Sequence, residues 1–327
     1  MQREGTTSAP ERATETVGGR AADAFAKLGN EIRLTILLTL WEAYEPFTDD
    51  DGLTFTELRE RVGVTDSGRF NYHLEQVTGE FVEETDTGYA LHGAGHKVVR
   101  AVVAGVGVDD PELDTEGVEI PCPHCGSPEV VDYEDRKLWA VCPDCGPDGE
   151  ELTLMETDFD PAGVAGRTAA EVVRANGTQE VQKNAMRLAG VCPECSGVVD
   201  SRFEVCDDHR DGDRACPNCG RVSRVLVRFE CSVCKNEMQG PATVAAASHP
   251  TGQSFALEHG LERGFGADEV PLERLVELEE SMDYDHAVVS TDPLRVRTTL
   301  RHEDGDELAF VFDENVDVVE TTRQRRA

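Results

Sequence analysis

Cysteine spacing constrains this chain more than any other feature. Seven of its eleven cysteines stand in the 44 residues from Val191 to Cys234. Six of them form Cys-x-x-Cys pairs, Cys192/Cys195, Cys216/Cys219 and Cys231/Cys234, and the seventh, Cys206, is followed at the same gap by His209. Four ligand pairs make two tetrahedral sites. Upstream, Cys122/Cys125 and Cys142/Cys145 are separated by 16 residues, the spacing of a four-cysteine zinc ribbon. Eleven thiolates and one imidazole thus supply twelve ligands, enough for three zinc ions per chain with none left over. The simplest arrangement of the array is sequential, with Cys192, Cys195, Cys206 and His209 on one ion and Cys216, Cys219, Cys231 and Cys234 on the next. The segment Arg221 to Glu230 would then be a short hairpin with an apolar face (Val225, Val227, Phe229) and a mainly basic one (Arg224, Leu226, Arg228).

Composition decides between metal and disulfide. No apolar run approaches the ~20 residues needed to span a bilayer, and no basic segment followed by an apolar one opens the chain, so a soluble, cytoplasmic protein is expected. In a reducing compartment cysteines spaced in this way hold metal. The net charge is -34 and five of the 31 basic residues are Lys, a balance that resembles haloarchaeal cytoplasmic proteins. At molar salt the Debye length falls to ~3 Å, and so acidic a surface repels itself far less. With 39% hydrophobic and 6% aromatic residues, several small modules are expected in place of one large core.

Periodicity supplies the modules, and the fold class expected is multidomain α+β. Residues 1–19 are polar and aperiodic and read as a flexible tail. From Ala24 to Trp41 the apolar spacing is helical, interrupted at Gly29-Asn30, with Asn30 placed to cap the second helix. After a polar loop, Thr54 and Glu57 have capping-box spacing and open a short helix. Asp66-Ser67 begins another, in which Phe70, Leu74 and Val77 share one face. Two β-like runs, Phe81 to Glu84 and Tyr89 to Leu91, flank a turn ending in Gly88, and a last helix runs from about Gly95 to Ala104. The domain borders predicted are 20–105 for this module, 118–150 for a zinc ribbon, 151–190 for a helical connector, 191–238 for a double zinc-knuckle region and 239–327 for a small α+β module. Asp109 to Glu112 reads as a linker. In the ribbon, Val130 to Tyr133 and Leu138 to Val141 form a hairpin, and Gly126 and Gly146 stand where a positive φ is useful after the second thiolate. The connector reads as one strand, Leu152 to Glu156, and helical pieces near Thr168–Arg174 and Glu180–Leu188. In the last module Gln253 to Leu261 and Leu272 to Glu280 read as helices, and Leu294–Arg301, Glu307–Phe312 and Val316–Thr321 as strands.

The run Leu28-Gly29-Asn30-Glu31-Ile32-Arg33-Leu34-Thr35-Ile36-Leu37, followed by Asn71-Tyr72-His73-Leu74, resembles the winged helix-turn-helix of ArsR-type transcription regulators over Ala21 to Ala104. The order of modules as a whole looks like haloarchaeal ArsR-like regulators. The resemblance implies that the helix holding Ser67 to Gln76 enters the major groove of double-stranded DNA and that the protein binds as a homodimer to half-sites about one turn apart. Metal-sensing members of that family carry inducer cysteines within the winged helix, whereas here the first cysteine is Cys122. The buried stripe of this helix leaves Ser67, Arg69, Asn71, Tyr72 and Gln76 on the exposed arc as the DNA-contacting residues, with Asn71 and Tyr72 best placed for base edges.

The function expected is a DNA-binding transcription regulator without enzymatic activity, since a zinc ion closed by four protein ligands has no position for a reacting water. The competing reading is a zinc-scaffolded adaptor for proteins or RNA, because residues 20–100 hold eight basic against fifteen acidic residues and lack the positive footprint of a DNA binder. A redox switch through the Cys-x-x-Cys pairs is a further alternative. Arg214 to Lys235 has five basic residues and one acidic, which marks the third zinc module as a contact surface for a phosphate backbone or an acidic protein face.

Overall fold

The computed structural model describes residues 22–47, 52–105, 111–115, 120–147, 150–210, 212, 214–261, 276–278 and 280–325. The expected N-terminal tail, half of the linker and most of the helix expected at 272–280 lie outside the described residues. The chain divides into two compact units, Met1–Asp109 and Asp110–Ala327. Both mix helices with small antiparallel sheets, and no helix among the described residues is long and apolar enough to cross a membrane.

In the first unit, α1 (22–28) leads to α2 (Glu31–Ala43), whose N-terminus is capped by the Asn30 side chain accepting from the backbone N–H groups of Ile32 and Arg33. The capping box of α3 (Phe55–Val62) is formed: Thr54 accepts from Glu57 N–H while the Glu57 carboxylate accepts from Thr54 N–H. Asp66 caps α4 (Ser67–Val77) by accepting from the backbone N–H groups of Gly68 and Arg69. Ile36, Leu37, Leu58, Phe70, Leu74 and Val77 meet in one core, each no more than 1% exposed. Strands β1 (Val82–Thr85) and β2 (Gly88–Leu91) form the hairpin, and α5 (Gly93–Val103) follows. Gly88 has φ +146°, and a Cβ on it would lie 2.2 Å from the carbonyl oxygen of Leu53, so no other residue fits where Leu53 bridges to Tyr89.

The second unit begins with a three-stranded sheet, β3 (Val130–Glu134), β4 (Lys137–Cys142) and β5 (Leu152–Asp158), in that order. Asp135 and Arg136, at φ 52° and 62°, make the tight β3–β4 turn that matches the strand twist. The strand expected in the connector is therefore part of the ribbon, paired along β4 from Lys137↔Asp158 to Cys142↔Leu152. Phe159, α6 (Pro161–Val164) and Val172 cover Val131, Tyr133 and Leu138, and the Tyr133 hydroxyl donates to the Phe159 carbonyl at 2.9 Å. The two helical pieces expected after it are one 20-residue helix, α7 (Ala169–Leu188), which runs without a break through Asn176-Gly177-Thr178. Gly177 costs such a helix only about 1 kcal/mol, and tertiary burial of Asn176 and Val172 on the same side overrides it.

The next sheet has the order β6 (Val199–Val205), β7 (Val225–Cys231), β8 (Glu237–Pro241). Arg221 to Glu230 is thus no hairpin: from Val225 on it is the central strand of the sheet, with Val225, Leu226, Val227 and Phe229 all buried. Helices α8 (Thr243–Ser248) and α9 (Pro250–Glu258) lead to a four-stranded sheet in the order β12-β11-β10-β9, made of β9 (Met282–Thr291), β10 (Leu294–His302), β11 (Glu307–Phe312) and β12 (Val318–Gln324). Val225, Val227 and Phe229 share a single hydrophobic core with Ala245, Phe255, Leu308, Phe310 and Phe312, which runs across the border expected at 238/239.

Candidate metal centres

The Cys-x-x-Cys turns are built by one repeated backbone pattern. In those beginning at Cys122, Cys192, Cys216 and Cys231, the first cysteine donates its N–H to the carbonyl five residues on (Ser127, Gly197, Arg221, Asn236), at 2.8–2.9 Å. The same cysteine accepts from the N–H four residues on (Gly126, Ser196, Gly220, Lys235). That fourth residue has a φ of 75°, 60°, 68° and 61° respectively, so Ser196 and Lys235 hold a conformation that side chains disfavour by about 1–2 kcal/mol. Gly146 departs from the expected pattern: it lies outside the positive-φ set and instead donates to the Glu150 carbonyl at 2.9 Å. Its role is close approach, since a Cβ there would meet that oxygen at 2.2 Å.

Three four-ligand clusters result, the ligand atoms of each lying within 4.8 Å of one another. The first is Cys122, Cys125, Cys142 and Cys145, with Sγ–Sγ separations of 3.7 Å for Cys122–Cys145 and 3.5 Å for Cys125–Cys142. The second is Cys192, Cys195, Cys231 and Cys234, at 3.6 Å for Cys192–Cys234 and 3.5 Å for Cys195–Cys231. In the third, Cys206, His209, Cys216 and Cys219, Cys219 Sγ is 3.6 Å from His209 Nδ1. Four sulfurs bonded at ~2.3 Å to a central zinc ion stand ~3.8 Å apart, so the clusters have the dimensions of tetrahedral metal sites. Each can hold a metal ion.

The sequential pairing expected within the array is corrected by this geometry. Strands β6 and β7 are antiparallel, with Val199 opposite Cys231 at one end and Val205 opposite Val225 at the other. Cys192/Cys195 precede β6, and Cys231 ends β7 with Cys234 just beyond it, so both pairs fall at the first end. Cys206/His209 follow β6 and Cys216/Cys219 precede β7, so they meet at the second. The pairs are nested, and a seven-residue strand separates the two sites by about 20 Å.

Neighbouring groups tune the ligands. The backbone N–H of Cys234, with that of Val233, holds the Cys231 thiol down at about 6 against the opposing effect of burial. His209 Nε2 lies 3.1 Å from the Val222 carbonyl, which can only accept, so Nε2 keeps the proton and Nδ1 presents its lone pair to the cluster. The buried Arg187 of α7 reaches Asn236 Oδ1 at 3.4 Å and bonds Asn184 Oδ1 at 2.6 Å, which braces the second-site turn. No spacing in the sequence points to Val222 or Arg187 as supports.

Of the residues expected to contact DNA, Ser67, Arg69, Asn71 and Tyr72 are exposed along α4 and Gln76 is half-buried. The Asn71 amide donates to Glu75 Oε1 at 2.7 Å, and the Tyr72 ring stands edge-on to His73, which is buried and accepts from Arg33 at 3.4 Å. In the expected basic surface, Arg221 and Arg228 both pair with Glu204, at 2.8 and 2.9 Å, while Arg224 is exposed.

Fold and sites together define an α+β chain whose second unit carries three closed, thiolate-rich clusters that can hold metal. Residues 119–318 match the family described as Domain of unknown function DUF7351, and the chain belongs to it; all twelve ligands fall inside the match. Residues 21–102, within the first unit, match Domain of unknown function DUF7347. No curated protein and no solved structure shows a significant match to the chain.

Proposed function

We propose that the chain is a DNA-binding transcription regulator in which α4 reads the major groove and three zinc ions hold the cysteine-bearing unit together. The observation that carries this reading is the division of α4. Phe70, Leu74 and Val77 are at most 1% exposed, and Ser67, Arg69, Asn71 and Tyr72 face solvent at the end that a recognition helix turns to the bases. The element order supports it, since α2, α3 and α4 followed by the β1–β2 hairpin is the sequence of a winged helix-turn-helix. The zinc ions are structural in this reading, because four protein ligands leave no coordination position for chemistry.

One observation favours a zinc-scaffolded adaptor instead: the acidic excess of fifteen against eight basic residues in 20–100 works against phosphate. The two readings separate in one experiment. DNA affinity is measured at the salt of the cell for the wild type and for Asn71→Ala/Tyr72→Ala, with helicity and metal content checked in parallel. The regulator reading expects a loss of about 1–3 kcal/mol for a bidentate base contact. Equal affinity in a folded, metal-loaded variant would sink it and leave the adaptor.

A further inference from the structure

A fourth group of ligand-type side chains stands apart from the cysteine array. One ring nitrogen each of His259 and His302 and one carboxylate oxygen of Asp304 lie within 4.8 Å of one another. His259 follows α9, and His302 and Asp304 stand at the end of β10 and in the turn to β11. The 42 residues between the two histidines hide the group from any spacing rule. The imidazole rings are 4.2 Å apart between centroids, and both side chains are largely buried, at 9% and 15% exposure.

The chemistry of His259 decides what such a group can do. Its Nδ1 lies 2.8 Å from the carbonyl oxygen of Phe255, which can only accept, so Nδ1 carries a proton. In the neutral ring Nε2 is then a lone pair, and it faces Asp304 Oδ2 at 3.6 Å and Asp306 Oδ2 at 3.5 Å. A lone pair set against two carboxylates needs a positive centre between them. A proton on Nε2 would draw the partners into a charge-assisted hydrogen bond of ~2.7–2.9 Å. A zinc-sized ion bonded at ~2.1 Å to nitrogen and oxygen spaces them ~3.4 Å apart. The Asp304 separation fits the metal. Asp306 is already engaged by Arg323, which donates from Nη2 at 2.7 Å and from Nε at 3.2 Å, so Asp304 is the carboxylate available to an ion. Its Oδ1 stands at hydrogen-bond distance, 3.0 Å, from His302 Nδ1, and its backbone N–H meets the same nitrogen at 3.4 Å, so an ion bound here takes the place of the proton in that pair.

Three ligands leave a tetrahedral ion one open position. Beside both histidines lies a pocket of about 350 Å³, bordered by Glu277, Glu280, Ser281 and Glu303, whose carboxylates favour entry of a cation.

We propose that His259, His302 and Asp304 form an exchangeable site for a borderline divalent transition-metal ion such as Zn²⁺ or Co²⁺, with an open coordination position facing this pocket. Two imidazoles with one carboxylate select such ions over Ca²⁺ and Mg²⁺, which take all-oxygen sites. The site does not depend on the DNA-binding reading and differs in kind from the closed cysteine clusters: fewer ligands, no thiolate and direct access from solvent.

The test uses the full chain carrying its tightly held metal, dialysed against Zn²⁺ alone. The wild type is expected to take up one further equivalent. Asp304→Asn, on an exposed turn where Asn still accepts the Asp306 N–H, is expected to keep the tight metal and bind the extra equivalent roughly tenfold or more weakly. His302→Gln should do the same. Co²⁺ added to the metal-loaded wild type should give ligand-field bands without the thiolate-to-cobalt charge-transfer band. No additional equivalent in the wild type, or an additional equivalent unchanged in Asp304→Asn, overturns the proposal. A shortfall of tightly held metal would count against the three-zinc reading only, since the Asp304-dependent equivalent is scored as a difference.

Discussion

Val199 and Cys231 face each other across β6 and β7, and this register decides which cysteines share a cluster. The consequence is countable. Wild type should carry three tightly bound zinc ions, and Cys195→Ser or Cys206→Ser should each lose one. Cys195→Ser/Cys234→Ser should lose no more than Cys195→Ser alone, because both residues serve one ion. Cys195→Ser/Cys206→Ser should lose two. Elemental analysis of the four variants checks this, and a loss of only one from the last double variant would restore the sequential pairing.

Removing Arg323 should destabilise the last sheet in a pH-dependent way. Its guanidinium, with that of Arg325, holds the Asp306 carboxyl below its usual range. A lowered folded-state value means the stabilisation is present above the ordinary Asp value of ~3.9 and is lost as pH falls through the lower folded value. Arg323→Gln is expected to cost about 1–3 kcal/mol near neutral pH. Chemical denaturation at pH 7 and near pH 3 should show that difference shrinking on acidification.

Phe310 lies in the four-stranded sheet but is fully buried in the core that β7 also enters. Phe310→Ala should therefore cost about 3–5 kcal/mol and expose β6, β7 and β8 together with β10 and β11. Hydrogen exchange would report one joint opening. Protection lost in the C-terminal strands alone would show two independent cores.

Glu75 accepts the Asn71 amide at 2.7 Å on the exposed side of α4. Glu75→Gln keeps an acceptor there and removes a negative charge from the face proposed to meet phosphate. Affinity for DNA should rise roughly fivefold at low salt, the order of one unscreened charge interaction in water. The gain should fade in molar salt. An unchanged affinity at low salt would place this face away from DNA.

Local signals were legible and long-range ones were not. Asn30, Thr54 and Asp66 act within three residues of themselves, and their caps form as their side chains require. The twelve ligands announce themselves by a two-residue gap. Their partition depends on strand register between residues 32 positions apart, Val199 and Cys231, which spacing within a pair does not encode. β9 escaped notice because Asp283 and Asp285 interrupt its apolar residues, as suits an edge strand with one exposed face. Ser196 and Lys235 hide the turn geometry that Gly126 and Gly220 advertise, since the backbone network imposes the left-handed φ on them. The group at His259, His302 and Asp304 is assembled entirely by tertiary packing.

The β6–β7 pair is pinned at both ends, by Cys231 and its partners beyond Val199 and by Cys206 and its partners beyond Val205. An ordinary strand pair frays from whichever end is weaker. With an ion in each cluster, as proposed, stripping one would free only the adjacent terminus, and the unzipping front would then run toward a knot that still holds. Partial chelation should therefore produce two distinguishable half-open ribbons, each with its own direction of melting, before the pair separates.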